Sequence, residues 1–227
     1  MKIPQVQVPA VGIEALSASE VGVRLSAALR AGTMPTDAQI GPLVARCAVE
    51  PDFYVRDMLT WALAQHDPDL VVDQLLPELG SAQAQARSQA LHTLSKIGGP
   101  RVWSAITPQL LQDHDDDVAR AAWRTAVRVV PTDQRAPLAR LLASQLGRGS
   151  RDARLSLSQA LLALGEAAAP EVDRATSSPN DDVRTHALAT ARMMEDPDSA
   201  FGSAVQQAMR VHTLRGAPLV GDLDAHR

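Results

Sequence analysis

Five times along the chain an apolar or small residue is followed by similar residues four and eight places later. The anchors are Val55, Ala86, Val118, Ala153 and Val183, spaced 31, 32, 35 and 30 residues apart. Leu59, Ala90, Ala122, Leu157 and Ala187 stand four residues on, and Leu63, Leu94, Ala126, Leu161 and Ala191 stand eight on. Such offsets share one face of an α-helix, and the alanines let neighbouring helices approach closely. Three residues before the anchors come Asp52, Gln83, Asp115, Ser150 and Asn180, and all but Gln83 are good N-caps. The pattern predicts helices near 52–66, 83–97, 115–130, 150–165 and 180–194.

A weaker helical stretch precedes each of these, as in "DAQIGPLVARCAV", "DLVVDQLLPELG", "RVWSAITPQLLQD", "QRAPLARLLASQLG" and "APEVDRAT". Breaks such as "GGP" and "GRGS" separate the units. Each unit is then a helical hairpin that cannot bury its apolar face alone and must stack on its neighbours. Strand patterns are absent, so the fold class is all-α, an α-solenoid. The Asp-x-x-Val-Arg start of the later helix, with small or apolar residues four and eight on, resembles the HEAT repeat. The short period is similar to the HEAT-like repeats of the phycobilisome-lyase type. The resemblance spans roughly residues 36–195 and implies a right-handed superhelix of about five hairpins with capping helices. Residues 1–16 read as an extended N-terminal segment, 17–214 as the repeat domain and 215–227 as a mobile tail. "SASEVGVRLSAALRAG" (17–32) and "DSAFGSAVQQAMRVHTL" (198–214) are the expected caps.

The resemblance also implies that the later helix of each hairpin lines the concave side. At 100° per residue, offsets 2 and 6 from the anchor point away from the core. Offset 6 reads Trp61, His92, Arg124, Gln159 and Ala189, and offset 2 reads Asp57, Ser88, Arg120, Leu155 and Thr185. Trp and Arg supply many anchor contacts at interfaces. The candidate partner-binding residues are therefore Trp61, His92 and Arg124, with Asp57, Arg120, Arg128 and Gln159 around them. The opposing reading of Trp61 is that it fills a gap against a neighbouring repeat.

Charge sharpens this picture. Residues 119–154 hold eight arginines against two aspartates, a net of +6, while the whole chain carries −4. Arg120, Arg124 and Arg128 recur every fourth residue and share a helix face, which suits an acidic peptide. The arginines after the anchors, Arg56, Arg87, Arg154 and Arg184, suit Asp–Arg ladders between repeats. In the fourth repeat, Leu155 and Leu162 put apolar residues on the outward face as well.

Catalytic and cofactor signatures are missing: there is no Gly-x-x-x-x-Gly-Lys, Gly-x-Gly-x-x-Gly or His-Glu-x-x-His. No two histidines stand three or four apart, and "DHDDD" lacks the spaced ligands of a calcium loop. No cofactor and no metal are expected. The single Cys47 lies on an apolar stripe with Ile40, Leu43 and Val44 and reads as core. Some HEAT-like solenoids are alkylpurine DNA glycosylases, in which a Trp precedes the catalytic Asp by four residues. Here Trp61, Trp103 and Trp123 are followed at that spacing by Gln65, Thr107 and Val127. Scarce lysine and asparagine imply a GC-rich bacterial source. One cysteine, no long apolar run and no apolar leader point to the cytoplasm. The reading is a non-enzymatic scaffold that takes a protein or peptide in its groove, with a nucleic-acid-binding, diverged glycosylase-like solenoid as the alternative.

Overall fold

The computed structural model describes residues 12–196, and among them the chain is helical with no strand. An inner row holds α1 (Val21–Thr33), α3 (Phe53–Leu63), α5 (Ala84–Ile97), α8 (Asp116–Val129), α10 (Arg151–Leu164) and α12 (Asp181–Glu195). An outer row holds α2 (Asp37–Val49), α4 (Pro68–Leu75), α6 (Pro100–Ala105), α7 (Pro108–Leu111), α9 (Arg135–Ala143) and α11 (Ala169–Ala175). Neighbours within each row pack side by side, and the core runs between the rows. This is an all-α solenoid.

The cap positions explain where the inner helices start. Oδ1 of Asp52 accepts from the N–H groups of Tyr54 and Val55 at 2.9 and 3.0 Å. Asp115 and Asn180 repeat this geometry, and the Ser150 hydroxyl accepts from Ala153 N. Gln83 makes no such bond, since its longer side chain cannot fold back as Asp does. Behind the caps the stripe goes inward: Val55, Leu59, Leu63, Val118, Ala122 and Leu157 are fully buried. Trp123 is fully buried too, its indole Nε1 donating to Leu111 O at 2.8 Å.

Three features differ from the sequence reading. The outer helices are broken rather than merely weak. α4 gives way to a 3-10 turn at Pro77–Gly80, and Pro108 divides α6 from α7, because proline offers no N–H to continue a helix. The chain is not extended as far as residue 16, since Ile13–Ser17 form a 3-10 turn that buries Leu16. And α1 is a full member of the inner row, with buried Arg24, Ala27 and Ala31 repeating the pattern of α3 and α5. The expected C-terminal cap (198–214) and tail (215–227) lie outside the described residues.

Arginines tie the repeats together. Arg24 binds both oxygens of Glu50 at 2.8 Å, and Arg87 binds both oxygens of Asp113, each reaching a carboxylate 26 residues on. Each also caps two carbonyls just before its own helix: Ala18 and Ser19 for Arg24, Ser81 and Ala82 for Arg87. Arg154 reaches Asp182 in the next repeat, and Arg148 reaches Asp116. Arg56 and Arg184 depart from the expected ladder. Arg56 donates to the carbonyls of Glu50 and Pro51, while Arg184 donates to Ser178 O and pairs with Asp181 of its own helix.

Glu50 is the densest of these junctions and is fully buried. Its carboxylate also accepts from Arg46 at 2.7 Å and from Asp52 N at 2.9 Å, and its carbonyl accepts from Gln85 at 2.8 Å. Burial alone raises a carboxyl, but bonds from Arg24, Asp52 N and Arg46 outweigh it and hold Glu50 at about 2.

Candidate functional site

The outward faces of α3, α5 and α8 enclose an open cleft of about 490 Å³. α3 contributes Asp57, α5 contributes Ser88 and His92, and α8 contributes Arg120 and Arg124. Each lies two or six residues after its anchor, so the helical phase that buries Val55, Ala86 and Val118 turns these residues outward.

Of the seven candidates from the sequence, the structure brings Asp57, His92, Arg120 and Arg124 together on this cleft. Trp61, Arg128 and Gln159 do not line it; all three are exposed elsewhere on the inner row. Trp61 has a packing partner that accounts for its place. A Cβ built on Gly32 of α1 would come within 2.3 Å of the indole ring and 2.8 Å of the Ala62 backbone. The ring therefore lies over a glycine of the preceding repeat, and only 39% of Trp61 stays exposed.

Phe53 is the aromatic that does line the cleft, and sequence reasoning missed it. It stands at the first turn of α3, before the anchor, and is 65% exposed. Tyr54 meets it edge-on with ring centres 5.6 Å apart, and the Arg56 guanidinium stands 6.0 Å from its centroid. Its signal was available, because an aromatic directly after an N-cap in a chain with six aromatics has no core stripe to join.

The charged groups around the cleft differ in how far the fold uses them. Asp115 caps α8, Arg56 holds the loop before α3, and Asp117 meets Arg120 at 3.3 Å. Arg120 Nε is buried with no hydrogen-bond partner. Arg124 donates from Nε to Arg120 O at 3.2 Å, and no carboxylate among the described residues pairs with it. Burial and the neighbouring Arg120 charge lower Arg124 from its ordinary value, with Asp117 opposing. His92 is likewise lowered, by burial first and then by Lys96 and Arg124, against Asp57. Ser88 and His92 stand one turn apart, but the Ser88 hydroxyl donates to Gln85 O at 3.1 Å.

Elsewhere the basic block is largely consumed by the fold. Arg140 pairs with Glu171, Arg148 with Asp116 and Arg154 with Asp182, and Arg135 donates to Ala163 O. The acidic run "DHDDD" is spent in the same way. Asp113 holds Arg87, Asp115 caps α8, and Asp116 accepts from Ser150 N and Arg148. Cys47 is buried, and burial pushes its thiol up to about 12.

The comparison with protein families agrees with this architecture. Residues 40–128, from α2 through most of α8, match the family model for HEAT repeats. That stretch of the chain is made of HEAT-like repeats. No curated protein matches it. The cleft of this HEAT-like chain falls within the matched span, since its lining runs from Phe53 to Arg124. None of the described helices is long and apolar enough to cross a membrane.

Proposed function

We propose that this HEAT-like protein is a non-enzymatic, cytoplasmic interaction scaffold that holds a segment of a protein partner in the α3–α5–α8 cleft. The observation that carries this reading is the uneven use of charge. Arg140, Arg148 and Arg154 of the basic block form ion pairs between repeats and Arg135 donates to Ala163 O, whereas among the described residues Arg124 has no carboxylate partner and Arg120 only one, inside the cleft. A rim aromatic, Phe53, and the hydrogen-bonding side chain of Gln89 complete a surface of the kind that engages extended peptides. The Ser88 hydroxyl is turned to a backbone carbonyl rather than to His92, which argues against a nucleophile–base pair. A nucleic-acid surface would instead need a row of uncommitted cations, and Asp57, Asp115 and Asp117 share this cleft.

The test is capture of partners from a GC-rich bacterial lysate by wild type and by a His92→Ala/Arg124→Ala variant, with and without nuclease. A protein lost with the variant and indifferent to nuclease supports the reading. Release by nuclease would replace it with nucleic-acid binding, and equal recovery on both baits would make the cleft scaffold only.

A further inference from the structure

One cluster in the cleft is not satisfied by the fold. Arg120 and Arg124 stand one turn apart on α8, close enough for the Arg120 charge to act on Arg124. Two adjacent guanidinium groups are costly unless an anion answers both. Asp117 answers Arg120 only in part, through one contact at 3.3 Å, and leaves Nε of Arg120 buried without a partner. Arg124 commits its own Nε to a backbone carbonyl, and its terminal N–H groups have no carboxylate partner among the described residues. His92 on α5 lines the same cleft, where burial, Lys96 and Arg124 disfavour its charged form and Asp57 favours it.

We propose that Arg120 and Arg124, with His92 beside them, form a seat for one carboxylate side chain of a bound peptide. This rests on the cleft being a peptide groove. The guanidinium groups that Arg120 and Arg124 bring to one cleft suit a planar carboxylate, which they bind in a forked geometry. The charge balance favours a single negative charge over a phosphate. Asp117 already offsets part of Arg120, and Asp57 on the facing helix repels anything more strongly anionic. Asp57 forms no ion pair among the described residues and gives the seat a direction. The acidic side chain goes toward α8, and a neutral or basic neighbour goes toward α3. A carboxylate in the seat also favours protonation of His92, so binding strengthens as pH falls toward the histidine range.

The test is an NMR titration of the whole chain, reading the arginine Nε–H signals and the His92 ring. The probes are acetyl-Gly-Gly-Glu-Gly-Gly-amide, its Gln counterpart, a peptide whose only carboxylate is its C-terminus, and inorganic phosphate. The expected result is saturable movement of Arg120, Arg124 and His92 signals with the Glu peptide, at least tenfold weaker with the Gln peptide. The response is abolished by Arg124→Gln and kept by Arg128→Gln, which lies outside the cleft. A rise in the His92 midpoint on adding the Glu peptide is the second readout. Equal response to the Glu and Gln peptides overturns the carboxylate seat while leaving the peptide groove standing. Preference for phosphate or for the C-terminal peptide overturns the choice of a side-chain carboxylate, as does Arg124→Gln binding like wild type. No response to any probe also overturns the seat, and the groove is then judged by partner capture alone.

Discussion

Replacing Glu50 with glutamine removes one negative charge from the junction of the first three inner helices. The wild-type carboxylate is fully buried and accepts from Arg24 twice, from Arg46 and from Asp52 N. Glutamine keeps one acceptor but turns an amide NH₂ toward a guanidinium and leaves two arginines without a counter-charge. Breaking a buried pair from one side costs about 3–5 kcal/mol. Linkage gives an independent figure: a carboxyl held at about 2 rather than at its ordinary 4.5 contributes about 3 kcal/mol. The two estimates overlap near 3 kcal/mol. Because the folded-state value is depressed, the contribution is complete above pH 4.5 and disappears as pH falls toward about 2. Urea denaturation at neutral pH followed by circular dichroism measures the loss, and hydrogen exchange shows where it falls. The loss should concentrate in α1–α3, because repeats are coupled to nearest neighbours. Asp182→Ala, which breaks the exposed pair with Arg154, should cost no more than about 1 kcal/mol. If Glu50→Gln unfolds within about 1 kcal/mol of wild type, or loses protection evenly along the array, the junction is not what joins these helices.

Other residues give shorter tests. His186 accepts from Gly147 N at Nδ1, 3.0 Å, so its proton sits on Nε2 facing Arg154 O at 2.9 Å and Ser158 at 3.1 Å. Burial lowers this histidine, the Arg154 carbonyl opposes and the Arg154 charge assists. Its contribution is therefore full above the ordinary 6.5 and is lost as pH falls below it, and His186→Gln should flatten that part of a stability–pH profile. Gly32→Ala drives a methyl into the Trp61 ring and should cost about 1–3 kcal/mol in the same urea assay. Trp61→Ala should lower stability by about 1–3 kcal/mol yet leave partner capture intact; capture lost at unchanged stability would restore Trp61 to the binding surface.

How much of this was legible in the chain can be seen residue by residue. The anchors announced themselves because one helical stripe must stay apolar in every repeat, and the caps because Asp, Ser and Asn side chains bond the first turn locally. The neighbourhood of Asp57, His92, Arg120 and Arg124 was legible for the same reason: once the stripe is phased, the opposite face follows. The packing of Trp61 was not legible, because its partner, Gly32, lies in another repeat and only the packing of α1 against α3 brings ring and glycine together. Phe53 was passed over because it precedes the anchor and the outward positions were read only from offsets after it, although its place outside every stripe was the available signal. Glu50 reads as an ordinary helix-end residue until Arg24 and Arg46 are folded around it. The outer helices were hardest, since their prolines at 77 and 108 divide stretches whose apolar content alone reads as continuous helix.

The central claim is that the α3–α5–α8 cleft is where a protein partner binds, and site-specific photocrosslinking in bacterial cells addresses it most directly. A benzophenone side chain is introduced at Gln89, on the cleft, or at Gln74, exposed on α4 of the outer row. The account predicts a discrete, nuclease-resistant protein adduct from position 89 that is absent from position 74 and disappears when Arg124→Ala is added. Equal adducts from both positions, or a Gln89 adduct that survives Arg124→Ala or vanishes with nuclease, would contradict it.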